Sequence, residues 1–255
     1  MPKLAANLSM LFTERDFLER FAAARAAGFR YVEYQFPYAF SADDIASAAG
    51  EAGVSVVLHN LPAGDMAKGE RGIASLPGRE AEFREGVERA IAYASAVRCP
   101  RLNCLAGLAP PDEAHFRTLV ANVRYAARRL GEVGIQLMIE AINTRSVPGF
   151  FLSGSQQAIE VLNAAGEGNA FLQYDLFHMQ IMEGDLARTM ERLLPRIGHI
   201  QVADVPDRHE PGTGEINFQF LLAHLDRIGY SGWVGCEYNP RSDTLEGLTW
   251  AKPYL

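Results

Sequence analysis

The chain has 255 residues, 48% of them hydrophobic and 22% charged, a balance that supports a sizeable core and argues against disorder. A formal net charge of -7 disfavours a nucleic-acid partner, whose phosphates must be met by Lys and Arg, while a small anion needs only a local basic pocket. No run reaches membrane-spanning length, the opening MPKLAANLSMLF is too short and too polar for a signal peptide, and Cys99, Cys104 and Cys236 lack CxxC spacing, so a cytoplasmic protein with reduced thiols and no membrane partner is expected.

In chain order, apolar runs at residues 3–9, 31–36, 55–61, 101–107, 136–143, 170–178, 198–204 and 233–238 read as strands, each followed by an amphipathic stretch. A first helix is expected from Thr13, with Phe17, Leu18 and Phe21 facing inward and Gly28 ending it. The spacing of Phe116, Leu119, Val120, Val123, Ala127 and Leu130 predicts a helix over 111–131 with one apolar face. Gly53, Gly134, Gly166 and Gly229 each follow a helical pattern shortly before a strand, as helix caps do. Residues 62–78 are rich in Gly and Pro and carry Asp65, Lys68, Glu70 and Arg71; a long aperiodic loop after a strand is a candidate lid. Eight β/α units over residues 1–255 give the expected fold, a single (β/α)8 barrel, and no glycine-rich phosphate loop follows the first strand to support an open doubly wound sheet.

Four strands in the second half end in a side chain able to hold a cation or a proton: Glu140, Asp175, Gln201 and Glu237. A charged group closing an apolar strand is costly unless paired or metal-bound, so four in succession suggest one shared cation. Three carboxylates and an amide oxygen are hard ligands, which favours Mg²⁺ or Mn²⁺ over zinc. His178, three residues after Asp175, is a candidate hydrogen-bond donor to substrate, and His59, with Asn60, is expected at the same mouth; His199, one pleat below Gln201, is read as packed. Arg208 follows Gln201 on its loop and could grip a carboxylate, and the neighbouring PGTGE lacks the trailing Gly-Lys-Ser/Thr of a phosphate loop and reads as a tight turn. Neither a Gly-x-Ser-x-Gly elbow nor a His-Glu-x-x-His pair is present, which removes serine-hydrolase and zinc-protease chemistry.

The strings AANLSMLF, LHNLPAGDMAKGERGIASLPGRE, QYDLFHMQIMEG, PDRHEPGTGEIN and GWVGCEY closely resemble the hydroxypyruvate isomerase family, within the xylose-isomerase-like TIM barrels, and the likeness runs from Lys3 to about Trp250. The resemblance implies interconversion of hydroxypyruvate and tartronate semialdehyde, a step in glyoxylate use, by proton transfer through a cis-enediolate. It implies that Glu140 and Glu237 are the acid and base, in an order left open, and that Asp175 and Gln201 complete a divalent-cation site. Related sugar epimerases usually carry histidine at the third metal position, where Gln201 stands here, a departure that leaves the metal's identity and necessity open. For the substrate carboxylate the candidates are Arg208, Lys68 and Arg71, in that order. Alternatives are an isomerase of a four-carbon oxo-acid (2-oxo-tetronate), a ketose 3-epimerase, a non-catalytic metabolite-binding barrel and an apurinic endonuclease, the last disfavoured by the acidic charge and only six histidines. A small oxo-acid is thus the expected partner, with homo-oligomerisation left open.

Overall fold

The computed structural model describes residues 2–255. Eight parallel strands close in sequence order: β1 (Lys3–Asn7), β2 (Tyr31–Glu33), β3 (Ser55–Asn60), β4 (Arg101–Cys104), β5 (Gln136–Glu140), β6 (Ala170–Asp175), β7 (Ile197–Val202) and β8 (Trp233–Cys236), with β8 returning to β1. Each is nearly all buried, because its inner face fills the barrel and its outer face meets the helices. The strands end one to three residues earlier than the apolar runs suggest. At 170–178 the cause is local: Asp175 caps the next helix, its Oδ1 accepting the Phe177 amide at 2.8 Å, so Leu176 to His178 are helical.

The helices α1 (Arg20–Ala26), α2 (Ala42–Ala52), α3 (Glu80–Val97), α4 (Glu113–Gly131), α5 (Ser155–Ala165), α6 (Leu176–Met182), α7 (Leu186–Leu193) and α8 (Phe218–Ile228) surround the barrel. Leu119, Val120, Val123, Ala127 and Leu130 of α4 are buried as the helical spacing predicts, each Leu or Val contributing about 1.5–3 kcal/mol. Gly53, Gly166 and Gly229 take left-handed capping conformations that other residues adopt only with strain. The expected helix start at Thr13 is corrected: residues 8–16 form turns and α1 begins at Arg20 after a 3-10 turn at Phe17–Glu19. A distant contact decides this, since the Phe12 amide donates to Thr244 Oγ1 at 2.7 Å and Phe12 has φ 59°.

Two loops shape the mouth. The segment 62–78 is docked at its base, where Gly72 bridges Ala106 and a Cβ on either Gly72 or Gly107 would strike the opposite backbone. Its tip, Asp65 to Gly69, is exposed throughout, as are Pro77 and Gly78 at its end. After β7 the chain wraps around Asp204, whose carboxylate accepts the amides of Val205, Gly212, Gly214 and Ile216, so PGTGE is a tight turn around an aspartate. This wrap holds Arg208, whose amide donates to Asp204 O at 2.9 Å and whose carbonyl accepts from Asn239 at 2.8 Å.

Candidate active site

Register puts the strand-end side chains inside one end of the barrel. Asp175 pairs with Gln201 and Gln201 with Gly235, while Glu140 pairs with Gln173, two residues before Asp175, so all share the inner face. Glu237 is two residues beyond Gly235. Glu140, Glu237, His178, Arg208 and Arg71 line one cavity of about 200 Å³ together with Gln35, Asn60 and several apolar side chains. That is small beside the 300–1,000 Å³ usual for drug-sized ligands and suits a molecule of few atoms.

The two glutamates are held differently. Glu237 receives three donors: Arg208 Nη2 on Oε2 at 2.6 Å, and on Oε1 Gln35 Nε2 at 2.9 Å and Asn7 Nδ2 at 3.2 Å. Glu140 receives one, Asn103 Nδ2 on Oε2 at 2.8 Å. Burial raises both carboxyls, and the contrast in donors separates them. Glu140 is pushed well above its ordinary value by burial and then by the charges of Glu237 and Asp175. Glu237 is pushed up to about 7 by burial, with Arg208 pulling the other way.

Arg208 lies among the carboxylates, its Nη2 also 3.6 Å from Asp175 Oδ2 and its guanidinium carbon 5.2 Å from the centre of the Phe177 ring. Burial opposes its charge, but Glu237, Asp175 and Glu140 outweigh that and raise its pKa. Its Nε is buried without a partner. His178 opposes it. Asn143 Oδ1 accepts from the Ser146 amide at 2.7 Å, which turns Asn143 Nδ2 toward His178 Nδ1 at 2.6 Å, and the Asn143 amide reaches the same nitrogen at 3.3 Å. Nδ1 therefore accepts, the proton sits on Nε2, and that N–H faces the site 3.5 Å from Asp175 Oδ2. Burial, and then the Arg208 charge, hold this imidazole neutral by lowering its pKa well below the ordinary value.

Glu140, Asp175 and His178 bring ligand atoms within 4.8 Å of one another, a group able to hold a metal ion. Asp175 Oδ2 is a buried carboxylate oxygen without a hydrogen-bond partner, and the surrounding carboxylates are hard donors, so the residues fit a hard cation. Ligation by His178 would need the tautomer that its Asn143 contacts oppose. Gln201 does not offer the oxygen expected of it: its Oε1 accepts Gln173 Nε2 at 2.6 Å and its Nε2 donates to Glu33 Oε1 at 2.8 Å. The carboxylate fixes this orientation, because only the NH₂ end of the amide can face it.

Two further expectations are corrected. His59 is not at the mouth: Asn60 pairs with Asn103, whose amide reaches Glu140 inside the barrel, so His59 points outward. Its ring lies fully buried, stacked on Tyr34 at 5.8 Å and edge-on to Tyr38, and burial lowers its pKa to about 4. Lys68 is also outside the cavity, its side chain 81% exposed and paired with Asp65 at 2.9 Å. Below the site lies a buried network absent from the sequence reading. Glu33 accepts from Asn7 at 3.0 Å and from Gln201, and contacts His199 Nε2 at 2.7 Å. Gly235 makes room for it, since a Cβ there would collide with the Glu33 carboxylate. A signal was present, because Glu33 ends β2 as Glu140 ends β5 and Asp175 ends β6.

The sequence model of the xylose isomerase-like TIM barrel family matches residues 21–254. Hydroxypyruvate isomerase of Escherichia coli K12 is 49% identical over the full length of both chains, and 2-oxo-tetronate isomerase of Pectobacterium atrosepticum is 47% identical over 100% of this chain and 98% of its own. A crystal structure from Brucella melitensis, described as an AP endonuclease of family 2, superposes with a TM-score of 0.98 at 46% identity, covering 100% of this chain and 99% of its own. L-ribulose 3-epimerase shares the fold, with a TM-score of 0.78 at 22% identity over 99% of this chain and 86% of its own. With its eight parallel strands closed in order and its length matched by these relatives, the chain belongs to the xylose isomerase-like TIM barrel family.

Proposed function

We propose that the protein is a cytoplasmic hydroxypyruvate isomerase. The observation that carries this reading is the pair of buried glutamates facing one small cavity with unequal support, three donors on Glu237 and one on Glu140, which is what a base and an acid working together require. The full-length likeness to enzymes named hydroxypyruvate isomerase supports the substrate. Buried free thiols at Cys99, Cys104 and Cys236 support a reducing compartment, and no helix among the described residues is long and apolar enough to cross a membrane.

Hydroxypyruvate has a ketone at C2 and a hydroxymethyl at C3. Glu237, favoured as the anion by its donors, removes a C3 proton; the electron pair forms the C2–C3 double bond and charge develops on the C2 oxygen. The cationic Arg208 and the His178 Nε2–H face that charge. Glu140, held protonated, delivers its proton to C2 as the C3 hydroxyl gives its own to the C2 oxygen, leaving an aldehyde at C3 and a hydroxyl at C2. Glu237 ends protonated and Glu140 ionised, and exchange with solvent resets both. Asp175, through its partnerless Oδ2, is proposed to hold Mg²⁺ or Mn²⁺ together with the Glu140 oxygen that carries no proton and with Glu237 beside them; such a cation, when bound, would stabilise the enediolate charge.

The test is turnover of hydroxypyruvate in D₂O, with one solvent deuteron expected at C2 of tartronate semialdehyde. Substrate deuterated at C3 whose label arrives intact at C2 would show hydride shift and end the proton-transfer reading. No turnover would end the reading altogether. Because a relative named 2-oxo-tetronate isomerase is 47% identical, that four-carbon acid belongs in the same assay, and the ratio of kcat/KM values decides between the two substrates.

A further inference from the structure

We propose that Arg71, on the loop over the mouth, is the residue that binds the substrate carboxylate. This rests on the reading of the substrate as a small oxo-acid, and it replaces Arg208, the candidate favoured by sequence.

Arg208 already pairs with Glu237 at 2.6 Å and stands 3.6 Å from Asp175, so a substrate carboxylate placed on it would lie beside other carboxylates. The reacting carbons must sit between Glu140 and Glu237, and the carboxylate needs a cation of its own on another side. Lys68 points to solvent. Among the described residues, Arg71 is the remaining cation lining the cavity.

Arg71 is prepared for an anion in three respects. No carboxylate of the described residues forms an ion pair with it. Its Nη1 donates to two backbone carbonyls, Glu70 O at 2.8 Å and Met66 O at 3.3 Å, which orient the guanidinium plane without neutralising it. A guanidinium fixed along one edge can present a planar two-point contact from another. The adjacent carboxylate of Glu70 is drawn away: Arg79 Nη1 and Nη2 hold it at 2.7 and 3.3 Å, and the Asp65 amide donates to it. Arg79 is thus a positioning residue, keeping the carboxylate of the neighbouring Glu70 from quenching Arg71. The docked base at Gly72 and Gly107 fixes the point from which Arg71 projects.

The experiment compares an unreactive anion with its neutral isostere, D-glycerate and D-glyceramide, as competitive inhibitors of the wild type and of Arg71→Ala, Arg208→Ala and Lys68→Ala, each first shown by circular dichroism to be folded. Calorimetric dissociation constants give the same comparison independently of turnover. For Arg71→Ala, glycerate is expected to bind about 10- to 100-fold more weakly, as for loss of a charged hydrogen bond, while glyceramide changes by less than about threefold. Arg208→Ala is expected to weaken both alike, and Lys68→Ala neither. Equal losses of the two ligands in Arg71→Ala would make it a support of the loop and overturn the proposal, as would a glycerate-selective loss confined to Arg208→Ala. Failure of the wild type to turn over hydroxypyruvate would instead overturn the substrate reading, since glycerate discrimination by Arg71 is measured separately.

Discussion

Replacing Gln35 by Met removes one of the three donors on Glu237, the 2.9 Å contact from Nε2, with little change in side-chain length. A hydrogen bond to an ionised group is worth about 1.5–3 kcal/mol, and one pKa unit corresponds to about 1.4 kcal/mol, so complete loss would raise the Glu237 pKa by about one to two units. Gln35 is half-buried at a mouth open to water, which places the change near the lower end, about one unit above the present value of about 7. If Glu237 acts as the ionised base, kcat/KM falls as pH drops through its pKa, and the acid limb moves from about 7 to about 8. At pH 6 the active fraction would fall by roughly ninefold, while at pH 9 it would change by about a tenth. The assay is the pH dependence of kcat/KM for hydroxypyruvate from pH 5 to 9.5. A uniform loss across that range with the acid midpoint unmoved would refute the assignment of Glu237 as the titrating base and leave Gln35 a simple contact to substrate.

Glu140→Gln should abolish turnover yet stabilise the fold at high pH. The folded pKa of Glu140 lies well above its unfolded value, so between the two the unfolded chain has released a proton that the folded chain keeps, and stability is lost as pH rises through that window. A pKa difference of one between the folded and unfolded chains is worth about 1.4 kcal/mol, or about 3–5 °C in Tm at this chain length. The variant should therefore melt above the wild type at pH 8, with the gap narrowing toward pH 4.5; a gap independent of pH sinks the argument. For the cation, Mn²⁺ titration followed by electron paramagnetic resonance should show one site per chain, weakened about tenfold or more in Asp175→Asn. Equal affinity in that variant removes Asp175, with its partnerless Oδ2, from the cation site.

Much of the fold was legible because its signals are local. The inward stripe of α4 and the caps at Gly53, Gly166 and Gly229 depend on neighbours three or four residues away. The misplaced start of α1 depends instead on Thr244, 232 residues from Phe12, and no propensity at Thr13 reports that bond. The strand at 170–178 stopped short for a reason that could have been read: an aspartate at the end of an apolar run is as good a helix cap as it is a ligand, and Asp175 is a cap in fact, through Oδ1. Its other oxygen remains for the site.

The candidate site divides along the same line. Strand-end position identified Glu140, Asp175 and Glu237, because a carboxylate closing a buried strand is anomalous wherever it occurs. What each does depends on partners the chain brings from far away. Gln201 looks like a ligand until Glu33, 168 residues earlier, claims its NH₂ end and Gln173 its oxygen. His59 and Asn60 are adjacent in sequence and point to opposite faces of β3, a difference settled by the pairing of Asn60 with Asn103. Arg208 was found by its place on a loop, but its pairing with Glu237 changes its part in the chemistry. An arginine bound to the base stabilises that base as an anion and answers negative charge developing beside it, whereas one free of carboxylates can receive an anion from solution. In the proposed reaction the same residue type therefore serves two tasks at this mouth, and the contact to Glu237 is what separates them.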